Sequence, residues 1–584
     1  MSYPATTSEN PNAIFARLYA ERAIAVAHVG YELTQAKHAV ACLAGGPALT
    51  RCCLRDADTG VVLLADCVLG QPGPVAGWAG QSYQAIDFSA CTTPCTAVLE
   101  GRDAGGGLLT SAPFVIGRGI HEAAMPQAIL SYFQSQRPTG RYDLSDRALA
   151  FVGTKVAGRV DVHGGWYDAS GDVSKYLSHL SYTNYMNPQQ TPLFVWALAR
   201  AADSIGDAAT VEGLRAEACW GADFLMRMCR PEGMFCMTVF DRWTGDPAQR
   251  EICSYSTQQG HKHDSWECGW RQGGGMAIAA LARVARGGQG GAFAASDYLA
   301  TAERAFDHLL THGLAYLDDG RENIIDDYCG LLAAHELAQT TGKQVYRSHA
   351  AQRAEQLLAR MSAGHGRDGW WRSGDDDARP FTHAADEGLP LLALALYCPT
   401  APAAQQERIR SALGRAAGHL LAVTTEVHNP FAYPRHFTRQ PDGSTGTQFF
   451  HAHVNESGYW WQGENARLAS LACALRAIGP LVALPPEIRA LPDRYLGWIL
   501  GANPFHTSMM HGFGRNHSHY LPAKTPTTLG AICNGITSGQ TDETAIAFCP
   551  TEDPFHSWRW SELWLPHAAW FLLAITEPLA AVAP

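Results

Sequence analysis

The sequence contains no apolar run of roughly 18 residues, so it offers no membrane-spanning helix and no membrane partner is expected. It has no cluster of Lys and Arg, and its formal charge is −11. A nucleic-acid partner is therefore not expected, because phosphate binding needs grouped cations. Charged residues are scarce, at 17% of 584 positions against 46% hydrophobic, which argues for a large core and against long disorder. No Cys-x-x-Cys pair occurs, so zinc-ribbon sites are excluded. Neither a P-loop nor a Gly-x-Ser-x-Gly motif is present, which removes the usual carriers of nucleotide and acyl-transfer chemistry. The stretch from Met1 to Asn12 is polar and lacks the apolar centre of a secretory signal.

Cysteine, by contrast, is plentiful, with 16 residues in no repeated spacing. Cys52 and Cys53 are adjacent, Cys91 and Cys95 flank a Thr-Pro turn, and Cys219, Cys268 and Cys473 fall in helix-like apolar patterns. Free thiols in such patterns behave as small hydrophobes. The expectation is reduced thiols and a cytoplasmic location, the alternative being a periplasmic or secreted protein whose signal has been removed.

Two textures divide the chain. Residues 1–22 form an N-terminal segment. From 23 to 117, short alternating runs such as Ala39 to Leu43 and Thr96 to Glu100 are broken by Gly, Pro and Asp, which predicts an antiparallel, immunoglobulin-like β-sandwich. From 118 to 584 the apolar residues take helical spacing. The segments are Thr191 to Ala202, Val211 to Met228, Ala277 to Arg286, Tyr298 to His312, Tyr328 to Thr340, His349 to Met361, Leu389 to Tyr397, Ala404 to Val423, Asn465 to Ile478, Asp493 to Leu500 and Leu563 to Thr576. Long loops rich in Gly, Trp, His and Asp separate them, notably Glu251 to Gly275, Gly366 to Glu387, Asn429 to Gly463 and Asn503 to Ser561. The predicted architecture is mainly α, with helical hairpins closed into an (α/α)6 barrel behind the sandwich.

Two of those loops hold carboxylates suited to acetal chemistry, which needs a proton donor on the leaving oxygen and a base or nucleophile on the opposite face. The first is Gly164-Gly165-Trp166-Tyr167-Asp168-Ala169-Ser170-Gly171-Asp172. Asp168 and Asp172 can both accept bonds from one water, while Trp166 and Tyr167 offer faces for stacking. An Asx-turn with a helix cap explains the same spacing equally well. The second is Trp558-Arg559-Trp560-Ser561-Glu562-Leu563-Trp564, where indoles surround Glu562 at the expected start of the last helix. Apolar packing suits a general acid, and a Glu in a first helical turn is the bland alternative.

Together the two loops resemble glycoside hydrolase family 9. Gly-Gly-Trp-Tyr-Asp-Ala-x-Gly-Asp followed by Lys175-Tyr176 resembles that family's catalytic Asp loop. Leu496-Gly497-Trp498 through Asn503-Pro504-Phe505, then Gly512-Phe513-Gly514, resembles the stretch before its substrate-binding His/Arg segment, and Ser561-Glu562 is similar to its Asn-Glu proton donor. His28-Val29-Gly30-Tyr31 and Asp87-Phe88-Ser89 resemble the immunoglobulin-like module that precedes many such catalytic domains. The resemblance implies inverting hydrolysis of β-glycosidic bonds in β-glucan-type or amino-sugar oligosaccharides or polysaccharides. It makes Asp172 the general base, Asp168 a second ligand of the water and Glu562 the general acid, with the two sides roughly 6.5–9.5 Å apart.

Three departures bear on the site. Ser170 is inserted into the family's Asp-Ala-Gly-Asp. Arg515-Asn516-His517-Ser518-His519 replaces its His-His-Arg-like segment, and Tyr459-Trp460-Trp461-Gln462-Gly463-Glu464-Asn465 replaces a shorter one. Trp166, Tyr167, Trp266, Trp460, Trp461, Arg515, His517, His519 and Trp558 are the expected substrate-binding residues.

No cofactor or metal site is expected. The His261/His263, His451/His453 and His517/His519 pairs are weak metal signals, and Asp375-Asp376-Asp377 has the oxygen-rich makeup of a calcium loop, although a solvated acidic run is the commoner explanation. Rival readings are a polysaccharide lyase using Arg435-His436 or Arg515-His517 on a uronate, and a carbohydrate-binding protein disabled by Ser170. Oligomeric state is left open.

Overall fold

The computed structural model describes residues 11–179, 181–182, 186–375, 379–440, 442–451, 464–518, 528–539, 545–549 and 554–577. A helix, Pro11–Ala20, precedes a β-sandwich. One sheet orders the strands Ala23–Ala25, His38–Cys42, Tyr83–Asp87 and Val68–Leu69. The other orders Tyr31–Glu32, Phe114–Gly117, Cys95–Asp103, Leu49–Asp56 and Val62–Leu64, with Leu108–Thr110 also paired to Cys95–Asp103. Alternation in Cys95–Asp103 sends Ala97 and Leu99 into the core between the sheets, beside Leu54, Ile86 and Phe114.

Among the described residues, twelve helices form the barrel: α1 Met125–Ser135, α2 Thr191–Ala201, α3 Ala208–Met228, α4 Gly275–Arg286, α5 Ala295–His312, α6 Ile324–Thr341, α7 Gln344–Ala359, α8 Leu389–Tyr397, α9 Ala403–Thr425, α10 Glu464–Ile478, α11 Leu491–Ile499 and α12 Leu565–Thr576. The even-numbered helices pack in a closed ring, α2 on α4, α4 on α6, α6 on α8, α8 on α10, α10 on α12 and α12 back on α2. The odd-numbered helices pack outside them. Sequence explains the two rings. Inner helices such as α8 (Leu-Pro-Leu-Leu-Ala-Leu-Ala-Leu-Tyr) are apolar all round, as a helix buried on every side must be. Outer helices such as α5 bury one stripe, formed by Tyr298, Thr301, Ala302, Ala305, Phe306 and Leu309. All sixteen cysteines are unpaired thiols. No helix is long and apolar enough to cross a membrane among the described residues.

Each inner helix follows an outer one, so the inner helices run in one direction and the segments entering them gather at one end of the barrel. Residues 164–182 lead into α2, Trp270–Gly274 into α4, Asp386-Glu387 into α8 and Glu562 into α12. Several of these segments carry order that the sequence reads as plain loop. Glu251–Ser256 and His261–His263 pair with Thr238–Phe240 and Lys175–Tyr176 in a four-stranded sheet. Hairpins also form from Met361–Gly364 with Arg367–Trp371 and from His436–Arg439 with Thr445–Gln448. Glu562 itself lies in an extended link between a short helix, Pro554–Ser561, and α12, so the helix dipole does not account for it.

Asp386 ties this end together. Its two carboxyl oxygens accept the Gln189 N–H at 2.7 Å and the Trp570 Nε1–H at 2.8 Å. Burial pushes its pKa up to about 7, against the pull of those donors. An unfolded aspartate titrates near ~3.9. Between the two values the unfolded chain has lost the proton and the native chain keeps it. This contribution to stability is thus complete below about pH 4 and is lost as pH rises toward 7, at up to ~1.4 kcal/mol per pH unit. Asp386→Asn should flatten that part of a plot of Tm against pH, and an unaltered slope would show that burial does not hold the proton.

Candidate active site

Three residues with buried charge set the Asp loop in place. Lys175 donates from Nζ to the carbonyls of Val162 (2.7 Å) and Gly164 (2.9 Å) and pairs with Asp146 at 2.7 Å. Arg250 grips the same carboxylate from Nε (2.7 Å) and Nη2 (2.9 Å) and reaches the Val173 carbonyl. Gly165, at φ +68°, crosses the Phe224 ring so closely that a Cβ would sit 2.9 Å from it. Ala169 and Asp172 then close a tight turn through reciprocal backbone bonds of 3.2 and 3.3 Å, with Ser170-Gly171 at its corner. This turn is what brings Asp168 and Asp172 together.

Asp172 is held on both oxygens. Oδ1 accepts the Ser174 N–H at 2.8 Å, and Oδ2 accepts the Tyr176 hydroxyl at 2.7 Å and the Trp243 Nε1–H at 3.1 Å. Asp168 Oδ2 accepts the Trp564 Nε1–H at 2.9 Å, while its buried Oδ1 has no hydrogen-bond partner among the described residues. Burial first, then the charges of Asp172 and Glu562, push the Asp168 carboxyl well above the ordinary range. Asp241 behind them is raised by burial and by Asp172.

A run of single backbone bridges stitches the Glu562 segment to this loop. Ser508 pairs with Leu500, Met510 with Ile532, Cys533 with Leu563, and Trp564 with Ala169. Glu562 therefore stands two residues from Trp564, the position that bridges to the Asp turn. Its carbonyl accepts the Asn534 N–H at 2.9 Å, and its charge is felt by both Asp168 and Tyr132.

The expected sugar-binding residues fall into three groups. His517 and Arg515 stand at the far end of the bridge run, where His517 Nδ1 meets the Ser508 carbonyl (2.9 Å) and the Arg515 carbonyl accepts the Ser508 N–H (2.9 Å). The sandwich braces this segment, with His28 packed against Gly501 and Gly514, both at positive φ, and its Nδ1 facing the Arg515 N–H. Half-buried Trp558, one turn before Glu562, is capped by the Arg559 guanidinium at 4.9 Å.

Trp166 and Trp266 need correction, because both are core residues and 1% exposed. Trp166 donates to Glu217 at 2.7 Å and packs on Phe133, and Trp266 packs on Phe151. Tyr167 is also buried, with its hydroxyl accepting the Thr139 N–H. Trp460, Trp461, His519, His453, Asp376 and Asp377 lie outside the described residues. Asp375 is exposed and paired with Arg360 at 2.9 Å.

The site also contains residues that sequence reasoning passes over. Trp243 takes a left-handed backbone (φ 59°) so that its indole reaches Asp172, and Asp241 holds its N–H at 3.0 Å. His179 lies with Nε2 3.7 Å from Asp168 Oδ2, packs tilted against Tyr176 with ring centroids 4.2 Å apart and bonds the Tyr255 hydroxyl. Burial lowers its pKa to about 3, so its ring is neutral. Trp243 follows Asp172 by 71 positions and His179 carries no motif, so only the fold reveals them. Against the expectation of no metal site, Asp168, Asp172 and His179 bring ligand atoms within 4.8 Å of one another. Two carboxylates and a neutral imidazole form a donor set that first-row cations accept. The lyase pair Arg435-His436 is engaged elsewhere, Arg435 with Glu426 at 2.9 Å and His436 with Thr382 at 2.6 Å.

The profile of glycosyl hydrolase family 9 matches residues 123–527. No curated protein matches by sequence. Solved structures do match in fold. A family 9 protein of Bacteroides ovatus superposes with a TM-score of 0.64 at 18% identity, covering 95% of this chain and 98% of its own. A thermostable endoglucanase of Alicyclobacillus acidocaldarius gives 0.63 at 17%, covering 95% and 99%. Endoglucanase J30 gives 0.63 at 20%, covering 93% and 99%, and a Zn-binding triple mutant of it gives 0.64 at 19%, with the same coverage.

Proposed function

The chain belongs to glycosyl hydrolase family 9 and is a glycosidase, and from that premise we propose that it cleaves β-glycosidic bonds in β-glucan-type or amino-sugar oligosaccharides with inversion. The observation that carries this reading is the Ala169–Trp564 bridge, which sets a buried Asp pair and Glu562 on facing segments at one end of the barrel. The Glu562 carboxyl gives its proton to the glycosidic oxygen as the C1–O bond breaks. A water attacks C1 from the other face, and Asp172 takes its proton. The bare Asp168 Oδ1 accepts the second hydrogen of that water and fixes its direction. Exchange with solvent restores both carboxyls, and no step passes through a metal.

Arg515 and His517 hold sugar hydroxyls, and the half-buried Trp243 walls the cleavage point. The endoglucanase neighbours, one of them complexed with a cellobiose-like isofagomine, support a β-linked saccharide. Reduced thiols support a cytoplasmic protein acting on short oligosaccharides. The test is a panel of β-linked glucose, glucosamine and N-acetylglucosamine oligomers, followed by NMR of the newly formed anomer. An α-product from one class is expected, and a β-product would rule out the water-activated route.

A further inference from the structure

We propose that Ser170 is a positioning residue that aims the Glu562 side chain, an inference that rests on reading Glu562 as the proton donor. The peptide unit joining Glu562 to Leu563 is pinned on both edges. On one edge the Glu562 carbonyl accepts the Asn534 N–H at 2.9 Å. On the other, the Leu563 N–H donates to the Ser170 hydroxyl at 3.1 Å. Ser170 also donates its own N–H to the Leu563 carbonyl at 2.9 Å, and the Tyr132 hydroxyl joins that acceptor at 3.1 Å.

A planar peptide held at both edges is restrained against rotation about the Glu562 Cα–C bond, so the Cα–Cβ direction from which the Glu562 carboxyl reaches out is set before substrate arrives. Ser170 and Leu563 are both buried, so no water substitutes for the hydroxyl. The Asp side does not depend on this bond. Asp172 keeps Ser174, Tyr176 and Trp243, and Asp168 keeps Trp564. The residue that lengthens the Asp turn is thus the residue that steers the acid, and a turn without it has no hydroxyl at this place.

The experiment compares an unactivated oligosaccharide with a dinitrophenyl glycoside of the same sugar, whose leaving group departs without protonation. Ser170→Ala should lower kcat on the oligosaccharide about tenfold while KM and the rate on the dinitrophenyl glycoside stay within about twofold. Ser170→Cys fills the site with a slightly larger group and weakens the acceptor, so it should move the same way and serves if the alanine variant folds poorly. Equal losses on both substrates, or no loss with either variant, would overturn the assignment. Glu562→Gln run in parallel separates the two claims. If it too lacks leaving-group dependence, the proton-donor reading fails. If it shows the dependence and the Ser170 variants do not, only the positioning role fails.

Discussion

Glu562→Gln lowers kcat on an unactivated oligosaccharide by about a thousandfold, the middle of the range for a lost general acid. The substitution replaces the ionisable carboxyl with an amide of nearly the same shape, so the transferable proton is lost while the fold is kept. Glutamine matches the volume, and the backbone bond from Asn534 to the residue 562 carbonyl survives. Ground-state contacts to the sugar are unaltered, so KM changes little and the loss falls on kcat. A sugar alkoxide departs badly without protonation, whereas dinitrophenolate departs unaided, so the dinitrophenyl glycoside keeps its rate within about tenfold. The alkaline limb of the kcat profile, which reports loss of the acid's proton, disappears in the variant. Steady-state kinetics on both substrates across pH, with matched Tm values, check these points. A thousandfold loss on the activated glycoside as well would assign Glu562 a role other than protonation.

Legibility from sequence differed by element for physical reasons. Every barrel helix after the first shows in the sequence, the outer ones by the 3.6-residue spacing of their apolar positions and inner ones such as α8 as apolar runs. Helix α1, Met125–Ser135, is not among the segments the sequence separates, although Ile129, Leu130, Tyr132 and Phe133 line its buried side. The short strands at the barrel mouth read as loop because pairs such as Lys175–Tyr176 with Thr238–Phe240 are held by partners 62 and 64 residues away, a separation no local pattern records. Motif-bearing carboxylates were found, while the groups that hold them, Trp243, His179 and Asn534, were not. Tryptophans misled in a specific way. Trp166 sits two residues from Asp168, but its indole is turned into the core by the Glu217 carboxylate, so proximity in sequence did not mean exposure to a sugar. Ser170 shows the reverse error. As a departure from a pattern it reads as damage to the Asp loop, yet its two bonds to Leu563 make it part of the frame.

Asp172→Asn and Asp168→Asn separate the two carboxylates by their different surroundings. Asp172 is fixed by three donors and suits the role of proton acceptor from the water. Asp168 is driven toward its protonated form by burial and by its neighbours' charges, and it has a bare oxygen for aiming that water. Asp172→Asn should cost about a thousandfold in kcat, and the loss should be the same for the oligosaccharide and the dinitrophenyl glycoside, since attack by water is required whatever leaves. A small anion such as azide, placed in the space beside the amide, should restore part of the rate. Asp168→Asn should cost less, roughly ten- to a hundredfold, because an amide oxygen still accepts from the water.

The variants also differ in their response to pH. Removing the Asp172 charge takes away the second largest influence raising Asp168, so the pKa of Asp168 moves down and the acid limb of the residual activity shifts to lower pH. If azide instead rescues Asp168→Asn and leaves Asp172→Asn inert, the base is Asp168, and the three donors on Asp172 then mark a fixed anion whose charge keeps the Asp168 carboxyl basic enough to take the proton.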